Sequence, residues 1–346
     1  MIQKIVNRLK KEWRKTPLGR TKKNNNPIRW GIIGLGYMAE TFSCAIDGNK
    51  DGVVYAVASR SIQKAKAFAN NHGGCRAYGS YDDMVNDEKL KLDVIYIATP
   101  VKYHYEHVKL CLEAGKNVLC EKPITSTLEQ FEELTKIAKE HNCFFMEGMW
   151  MKCLPSFQKA CQWIKEGKIG DVELVKVDFY KREHIRVGHA IYNAQEGGGV
   201  LRDFGVYAMA FMEHFLGGYP DELTGKSRIS SHGIDADWQI SAKKKNVQAF
   251  VNLSSNFGSL SKAAIVGKKG FVEWNSQFNR TNTVTLYDAN GVQVETFVTN
   301  YEYEGFEYEV NEVQKCIREG KKESGIVTLE GTRNSMQIIN SLILNS

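Results

Sequence analysis

The stretch Trp30-Gly31-Ile32-Ile33-Gly34-Leu35-Gly36-Tyr37-Met38-Ala39 decides how the chain is read. An apolar strand over 28–33 runs into Gly34-x-Gly36-x-x-Ala39, and a helix-compatible segment over 39–46 follows. A dinucleotide-binding turn needs that order. Gly34 makes the tight turn and Gly36 lets backbone amides approach a pyrophosphate. Ala39 lets the helix pack closely on the strand, so that its positive end faces the phosphates. Tyr37 and Met38, between Gly36 and Ala39, are cofactor-binding by the same placement.

Working outward, strands and helices alternate. Strands are expected over 53–58, 76–78, 93–98, 117–120 and 143–146, with helices over 62–70, 81–86, 105–114 and 128–141. This rhythm predicts an α/β Rossmann domain over 28–150 whose parallel, doubly wound sheet binds ligand at the carboxyl ends of its strands. Beyond residue 150 the texture changes. A helix over 156–167 precedes long alternating strands over 172–181, 238–254, 262–274 and 283–298, with turn signals at Lys268-Lys269-Gly270 and Asp288-Ala289-Asn290-Gly291. These predict a second α+β domain over 151–346, built on a large, mostly antiparallel open sheet. Helices over 305–318 and 329–344 close the chain, the last being free to pack back on the Rossmann domain.

The 346 residues, 42% hydrophobic and 25% charged, suit a two-domain globular protein with no membrane span. Cys44, Cys75, Cys111, Cys120, Cys143, Cys153, Cys161 and Cys316 form no Cys-x-x-Cys pair. That argues against a metal site and a secreted disulfide scaffold, and for the cytoplasm. The net charge of +6 is concentrated: residues 1–27 carry nine Lys/Arg against Glu12, which leaves the remainder at −2. A nucleic-acid role for the body is therefore not supported. Within the basic extension, Ile2, Ile5, Val6, Leu9 and Trp13 recur at helical spacing. Two readings stand: a solvated arm, or an amphipathic helix that rests through residues 1–23 on anionic lipid at the inner membrane face or on an acidic partner.

The end of the second strand reads Ala58-Ser59-Arg60-Ser61, with Lys64 one turn on. An NAD site usually places a carboxylate there for the ribose 2′-hydroxyl. Here Arg60 offers a planar guanidinium and Ser59 a hydroxyl to a 2′-phosphate, so NADP(H) is expected over NAD(H). Lys122, after the fifth strand, projects toward the ligand crevice. Gly197-Gly198-Gly199 opens a helix on which Asp203 and Tyr207, four apart, share a face. An ammonium near a phenol favours phenolate, so Lys122 and Tyr207 suit proton exchange with a substrate oxygen, and Asp203 suits orienting that substrate. His184, Arg186 and His189 lie on a loop before the triple glycine, within reach of hydroxyl or phosphate groups.

These features come together in one resemblance. The glycine turn, Ala98-Thr99-Pro100 with His104, the phrase Ala114-Gly115-Lys116-Asn117-Val118-Leu119-Cys120-Glu121-Lys122-Pro123 and the triple-glycine Asp…Tyr segment resemble the glucose–fructose oxidoreductase / inositol dehydrogenase / MocA family. The resemblance runs from about residue 28 to the C-terminus. Phe144-Phe145-Met146-Glu147-Gly148-Met149-Trp150 and the tyrosine at 207 are most similar to its dimeric dihydrodiol dehydrogenase and NADP-dependent xylose dehydrogenase branch. The resemblance implies hydride transfer between nicotinamide and a sugar, polyol or diol carbon, and a homodimer or homotetramer assembled through the open sheet. It implies that Lys122 and Tyr207 are the catalytic pair, Asp203 a substrate-site residue and Trp150 a wall near the substrate. Thr99, Pro100, His104 and Glu121 would line the nicotinamide side. Met151-Lys152-Cys153 departs from the branch, which carries an aromatic, arginine-containing stretch expected beside the pocket. The alternatives are a non-catalytic NADP-sensing regulator and a sugar oxidoreductase that never releases its cofactor.

Overall fold

The computed structural model describes residues 22–182, 198–231, 233–258 and 261–345. Strands β1 (Ile28–Ile33), β2 (Gly52–Ala58), β3 (Arg76–Tyr78), β4 (Val94–Ile97), β5 (Val118–Glu121) and β6 (Phe145–Gly148) form an all-parallel sheet. Its order is β3-β2-β1-β4-β5-β6. Every residue of β4, β5 and β6 is buried, as a strand covered on both faces must be. Helices α1 (Tyr37–Gly48), α2 (Ile62–Asn71), α3 (Tyr81–Val85), α4 (His104–Glu113) and α5 (Leu128–Glu140) connect the strands. Ser61, Ser80 and Thr127 cap α2, α3 and α5 by accepting the amides of Lys64, Asp83 and Gln130, each cap worth about 1 kcal/mol. The order reverses between β1 and β4, and that topological switch point is where a doubly wound sheet opens a ligand crevice.

Helices α1 and α2 are locked together by one buried imidazole. His72, at the end of α2, places Nδ1 2.6 Å from Asp47 and Nε2 3.2 Å from Glu40, both on α1, and stacks on Phe68. Burial pushes the imidazole down, but Asp47 and Glu40 outweigh it and hold it above its ordinary value. A group raised in this way stabilises the fold fully below its unfolded value of 6.5 and loses that contribution as pH rises through its folded value. The Tm of the wild type should therefore fall as pH rises above 6.5. His72→Gln should flatten that dependence; parallel curves for the two proteins would contradict the clamp. Beside Asp47, Lys23 donates to the carbonyls of Ile46, Asp47 and Asn49 at 3.0, 2.8 and 2.7 Å, closing the C-terminus of α1. Burial, against the field of Asp47, holds its amine down to about 8. This last lysine of the basic extension is thus a helix cap and not a solvated charge. Residues 1–21, with the amphipathic pattern, lie outside the described residues.

After α6 (Trp150–Cys153) and α7 (Pro155–Lys165), the second sheet runs through β7 (Val172–Tyr180), β8 (Glu222–Ile229), β9 (Asp235–Lys244), β10 (Val247–Ser254), β11 (Lys262–Gly267), β12 (Gly270–Trp274), β13 (Thr283–Asp288) and β14 (Gln293–Val298). Its order is β14-β13-β12-β11-β7-β10-β9-β8, antiparallel except where β7 meets β10. Helices α8 (Val200–Asp203), α9 (Gly205–Leu216) and the C-terminal helix Leu329–Leu344 belong to the same unit. Its core is aromatic: Phe211 meets Trp274 at 5.0 Å and Phe278 at 5.4 Å, edge to face. Two local expectations change. The single strand over 238–254 is a hairpin, because Lys245 adopts a left-handed conformation (φ 51°) and its amide is held by Asp221. Strand β8 carries no clear apolar alternation, and the sequence pattern passes over it.

The division of the chain also differs from a simple break at 150. The first compact unit, which ends at Trp150, takes back Tyr301–Gly325; the second holds Met151–Asn300 and Ile326–Ser346. Helix α10 (Phe306–Arg318) is what rejoins the first unit. Phe306 packs edge to face on Phe42 of α1 at 6.2 Å, Asn49 donates to Asn311, and Arg318 pairs with Asp51. The last helix, α11 (Leu329–Leu344), stays with the second unit, where Asn334 donates to Glu213 and Tyr219 bonds Ser341. The element returning to the Rossmann unit is therefore the penultimate helix, not the final one.

Candidate active site

At the switch point the glycine turn is dictated sterically. Gly34 has φ +86°, and a Cβ on it would lie 2.6 Å from Thr99 Cγ2 and 2.7 Å from Thr99 N. Only glycine fits. Gly36 is different: a Cβ there would meet nothing within 4 Å, so the protein itself does not demand glycine. The open space left there by glycine suits a pyrophosphate lying against that backbone. No side chain caps the first turn of α1, leaving that end of the helix suited to a phosphate anion. Tyr37 is exposed, Met38 half-buried and Ala39 fully buried against the sheet. The residues present fit a dinucleotide.

On one side of this turn lies the end of β2. Ser59 is buried, its amide donating to Tyr78 and its hydroxyl accepting from the amide of Ser61. Arg60 and Lys64 are exposed. The Arg60 guanidinium lies 5.9 Å from the centroid of the Tyr103 ring, and Lys102 Nζ lies 5.2 Å from the same ring. Two cations thus share one aromatic platform built from the β2 and β4 loops. Lys102 and Tyr103 were not singled out from sequence as cofactor residues; the Lys-Tyr pair just after Thr99-Pro100 was the available signal.

On the other side, His104 ties two loops together. Its ring nitrogens lie 2.7 Å from the Thr99 carbonyl and 2.9 Å from the Pro123 carbonyl. Burial pushes the imidazole down while those carbonyls pull against it. Thr99 Oγ1 also meets His107 Nδ1 at 3.0 Å. The Glu121-Lys122-Pro123 segment is gripped at both ends. Glu121 accepts from the Tyr96 hydroxyl at 2.5 Å and from the Lys122 amide at 3.2 Å, and Glu147 accepts from the Ile124 amide at 3.2 Å. Burial pushes the Glu121 carboxyl up, against the hydrogen bond from Tyr96 and the charge of Lys122. Trp150 is nearly buried and stacks on Phe306 at 4.7 Å.

Asp203 and Tyr207 belong to the second unit, whereas Lys122 belongs to the first. The pair does not share one continuous helix as the four-residue spacing predicts. Asp203 ends α8, Phe204 breaks the run, and Tyr207 lies in the first turn of α9. Both are half-buried. Gly199, ahead of α8, has φ +125°, and a Cβ there would fall 1.8 Å from Asp235 Oδ1. That carboxylate accepts from the Leu201 amide at 2.8 Å and the Trp238 indole at 2.6 Å, so the glycine lets a distant aspartate anchor the helix start. Met151, Lys152 and Cys153 are all buried, and Lys152 pairs with Glu213 at 3.3 Å. This departure supplies an internal ion pair, whose loss from one side alone would cost about 3–5 kcal/mol. His184, Arg186, His189 and Gly197 lie outside the described residues, and among the described residues no cluster of metal-ligating side chains occurs.

A parallel sheet of this order with a glycine turn at its switch point defines a dinucleotide-binding fold, and comparison with known proteins makes it that of an oxidoreductase. The family model "Oxidoreductase family, NAD-binding Rossmann fold" matches residues 28–149, and the GFO/IDH/MocA C-terminal domain matches residues 157–273. The chain belongs to the GFO/IDH/MocA family of NAD(P)-binding oxidoreductases. Trans-1,2-dihydrobenzene-1,2-diol dehydrogenase of Xenopus tropicalis is 31% identical over 309 residues, covering 87% of this chain and 92% of that protein. The human enzyme of the same name is 29% identical over 310 residues, with the same coverage. Among solved structures, a 3-ketoreductase from Actinomadura kijaniata in complex with NADP and TDP-benzene shares the fold, with a TM-score of 0.80 at 24% identity over 92% of this chain and 98% of that one.

Proposed function

We propose that the protein is an NADP(H)-dependent dehydrogenase or reductase acting on a sugar, polyol or diol carbon, with Lys122 and Tyr207 as its catalytic pair. The observation that carries this reading is the Glu121-Lys122-Pro123 segment, held at both ends by buried carboxyls beside the switch point of an NAD(P)-binding sheet. The preference for NADP(H) rests on the β2 terminus, where Arg60, joined by Lys102 on the Tyr103 ring, stands in place of the carboxylate that would repel a 2′-phosphate. Gly34, Gly36, Ala39, Ser59, Lys64, Thr99, Pro100 and His104 complete the cofactor side in this proposal.

When bound, the nicotinamide accepts or supplies the hydride. In the oxidative direction, Tyr207 takes the hydroxyl proton as hydride leaves the carbon, and in reduction it returns that proton to the carbonyl oxygen. The Lys122 ammonium favours the phenolate and stabilises charge growing on the substrate oxygen. Asp203 orients the substrate, and Trp150 walls its side of the pocket. Relatives named for a diol substrate, and the free thiols throughout the described residues, support a small hydroxylated substrate and a cytoplasmic setting. Assembly as a homodimer or homotetramer through the open sheet belongs to the same proposal.

The test is to follow reduced-nicotinamide absorbance with NADP(H) and NAD(H) across a panel of aldoses, polyols and diols. Turnover that prefers NADP(H) is expected. Tight NADP binding without turnover on any member would favour a sensor instead, and cofactor that stays with the protein through gel filtration while two sugars interconvert would favour a retained-cofactor cycle.

A further inference from the structure

Tyr96 supplies a buried hydroxyl that hydride transfer does not use. Strand β4 registers on β5 with Tyr96 opposite Leu119, and alternate residues of a strand share a face, so Tyr96 and Glu121 lie on the same side of the sheet. Both are buried, and the Tyr96 hydroxyl donates to Glu121 Oε1 at 2.5 Å. The other oxygen of that carboxyl accepts the Lys122 amide at 3.2 Å. One residue on, His104 Nδ1 lies 2.9 Å from the Pro123 carbonyl. The backbone that carries Lys122 is therefore tethered on both sides of its side chain. Packing alone calls only for a ring at position 96: that ring stacks at 4.0 Å on Phe42, and phenylalanine would stack as well. The hydroxyl serves the carboxyl.

We propose that Tyr96 is a positioning residue for Lys122: its hydroxyl holds the Glu121 carboxylate in place, and that carboxylate fixes the amide of the residue whose ammonium acts. The proposal rests on the reading of Lys122 as the catalytic lysine. It requires Tyr96 to keep its proton and Glu121 to be ionised. Burial first, then the charge of Glu121, push the Tyr96 phenol well up, so it donates at neutral pH. Burial pushes the Glu121 carboxyl up as well; the hydrogen bond from Tyr96 is the largest influence pulling it back, ahead of the charge of Lys122. The other titratable groups nearby do not replace that bond. Burial, ahead of the fields of Glu121 and Glu147, holds Glu309 of α10 well above the ordinary carboxylate range, and burial holds the Cys120 thiol well up. Glu147 of β6 registers with Cys120 and so lies on the other face of the sheet. On α1, which brings Phe42, the carboxyls of Glu40 and Asp47 are both engaged by His72. Without the Tyr96 hydroxyl, burial prevails and Glu121 takes up a proton at higher pH.

The test compares Tyr96→Phe with the wild type on the substrate of the panel that turns over. The ring and its stack on Phe42 are kept, so the fold should hold and KM for NADPH should stay within about twofold. At neutral pH kcat should fall about tenfold, the size expected when a hydrogen bond to a buried charge is lost. The acid limb of kcat should move up by about one pH unit, because a bond of that strength is worth about one unit in the pKa of its carboxyl. A tyrosine that only fills space would leave that limb where it is. A double-mutant cycle with Glu121→Gln shows the route: once the carboxyl is gone, adding Tyr96→Phe should cost no more than about twofold. Wild-type kcat in Tyr96→Phe would overturn the proposal, as would a lower kcat whose acid limb has not moved. So would a full tenfold loss that persists in the Glu121→Gln background. Activity retained in Lys122→Met would remove the underlying reading, whereas loss in Lys122→Met with an unaffected Tyr96→Phe would remove only this inference.

Discussion

Replacing Tyr207 by Phe should lower kcat by about 10²–10⁴-fold, the range expected when a positioned proton donor or acceptor is removed. The change deletes one oxygen from a half-buried ring whose packing near Phe179, 6.5 Å between centroids, is otherwise kept. The Kd for NADPH, followed by its fluorescence, should therefore stay within about threefold. Lys122→Met should bring a loss of similar size, since it leaves the phenol without its ammonium. The double variant should fall little below either single one, because residues that act as one unit are strongly non-additive. Full additivity, or activity retained in either single variant, would argue that the two groups serve different steps or none.

Arg60→Asp should carry the second large effect, this time on binding. A charge-assisted hydrogen bond contributes about 1.5–3 kcal/mol, and the substitution both removes the guanidinium and brings a carboxylate toward the 2′-phosphate. The Kd for NADPH should rise about 100-fold or more at low salt, where 1.4 kcal/mol corresponds to a factor of ten. NADH, which has no 2′-phosphate, should bind within about threefold of wild type. Lys102→Ala should produce a smaller loss in the same direction, since the ring it shares with Arg60 remains. Equal losses for both coenzymes would mean that Arg60 supports the loop and does not read the phosphate.

The Rossmann unit was largely legible because its signals are local. A glycine with φ +86° pressed against Thr99, serine and threonine caps, and strands buried on both faces each leave a mark within a few residues. The returning helix α10 was not legible, since what assigns Phe306 to the first unit is contact with Phe42, far earlier in the chain. The same holds for Lys152, whose partner Glu213 is 61 residues away. Its position beside Trp150 invites a pocket role, and burial gives it an internal one. The break at Phe204 between Asp203 and Tyr207 escaped because helical spacing alone carries no sign of it. Lys23 escaped for the converse reason: in a run of basic residues nothing marks the one that caps a helix.

The central claim is that the Lys122 ammonium and the Tyr207 phenol act on one substrate oxygen beside the reactive carbon of the nicotinamide. A crystal structure with NADP and a substrate from the panel tests it most directly. The account predicts Lys122 Nζ and Tyr207 Oη each about 3 Å from a shared substrate oxygen whose carbon faces nicotinamide C4. Either group turned away from that oxygen, in a complex that turns over in the crystal, would contradict it.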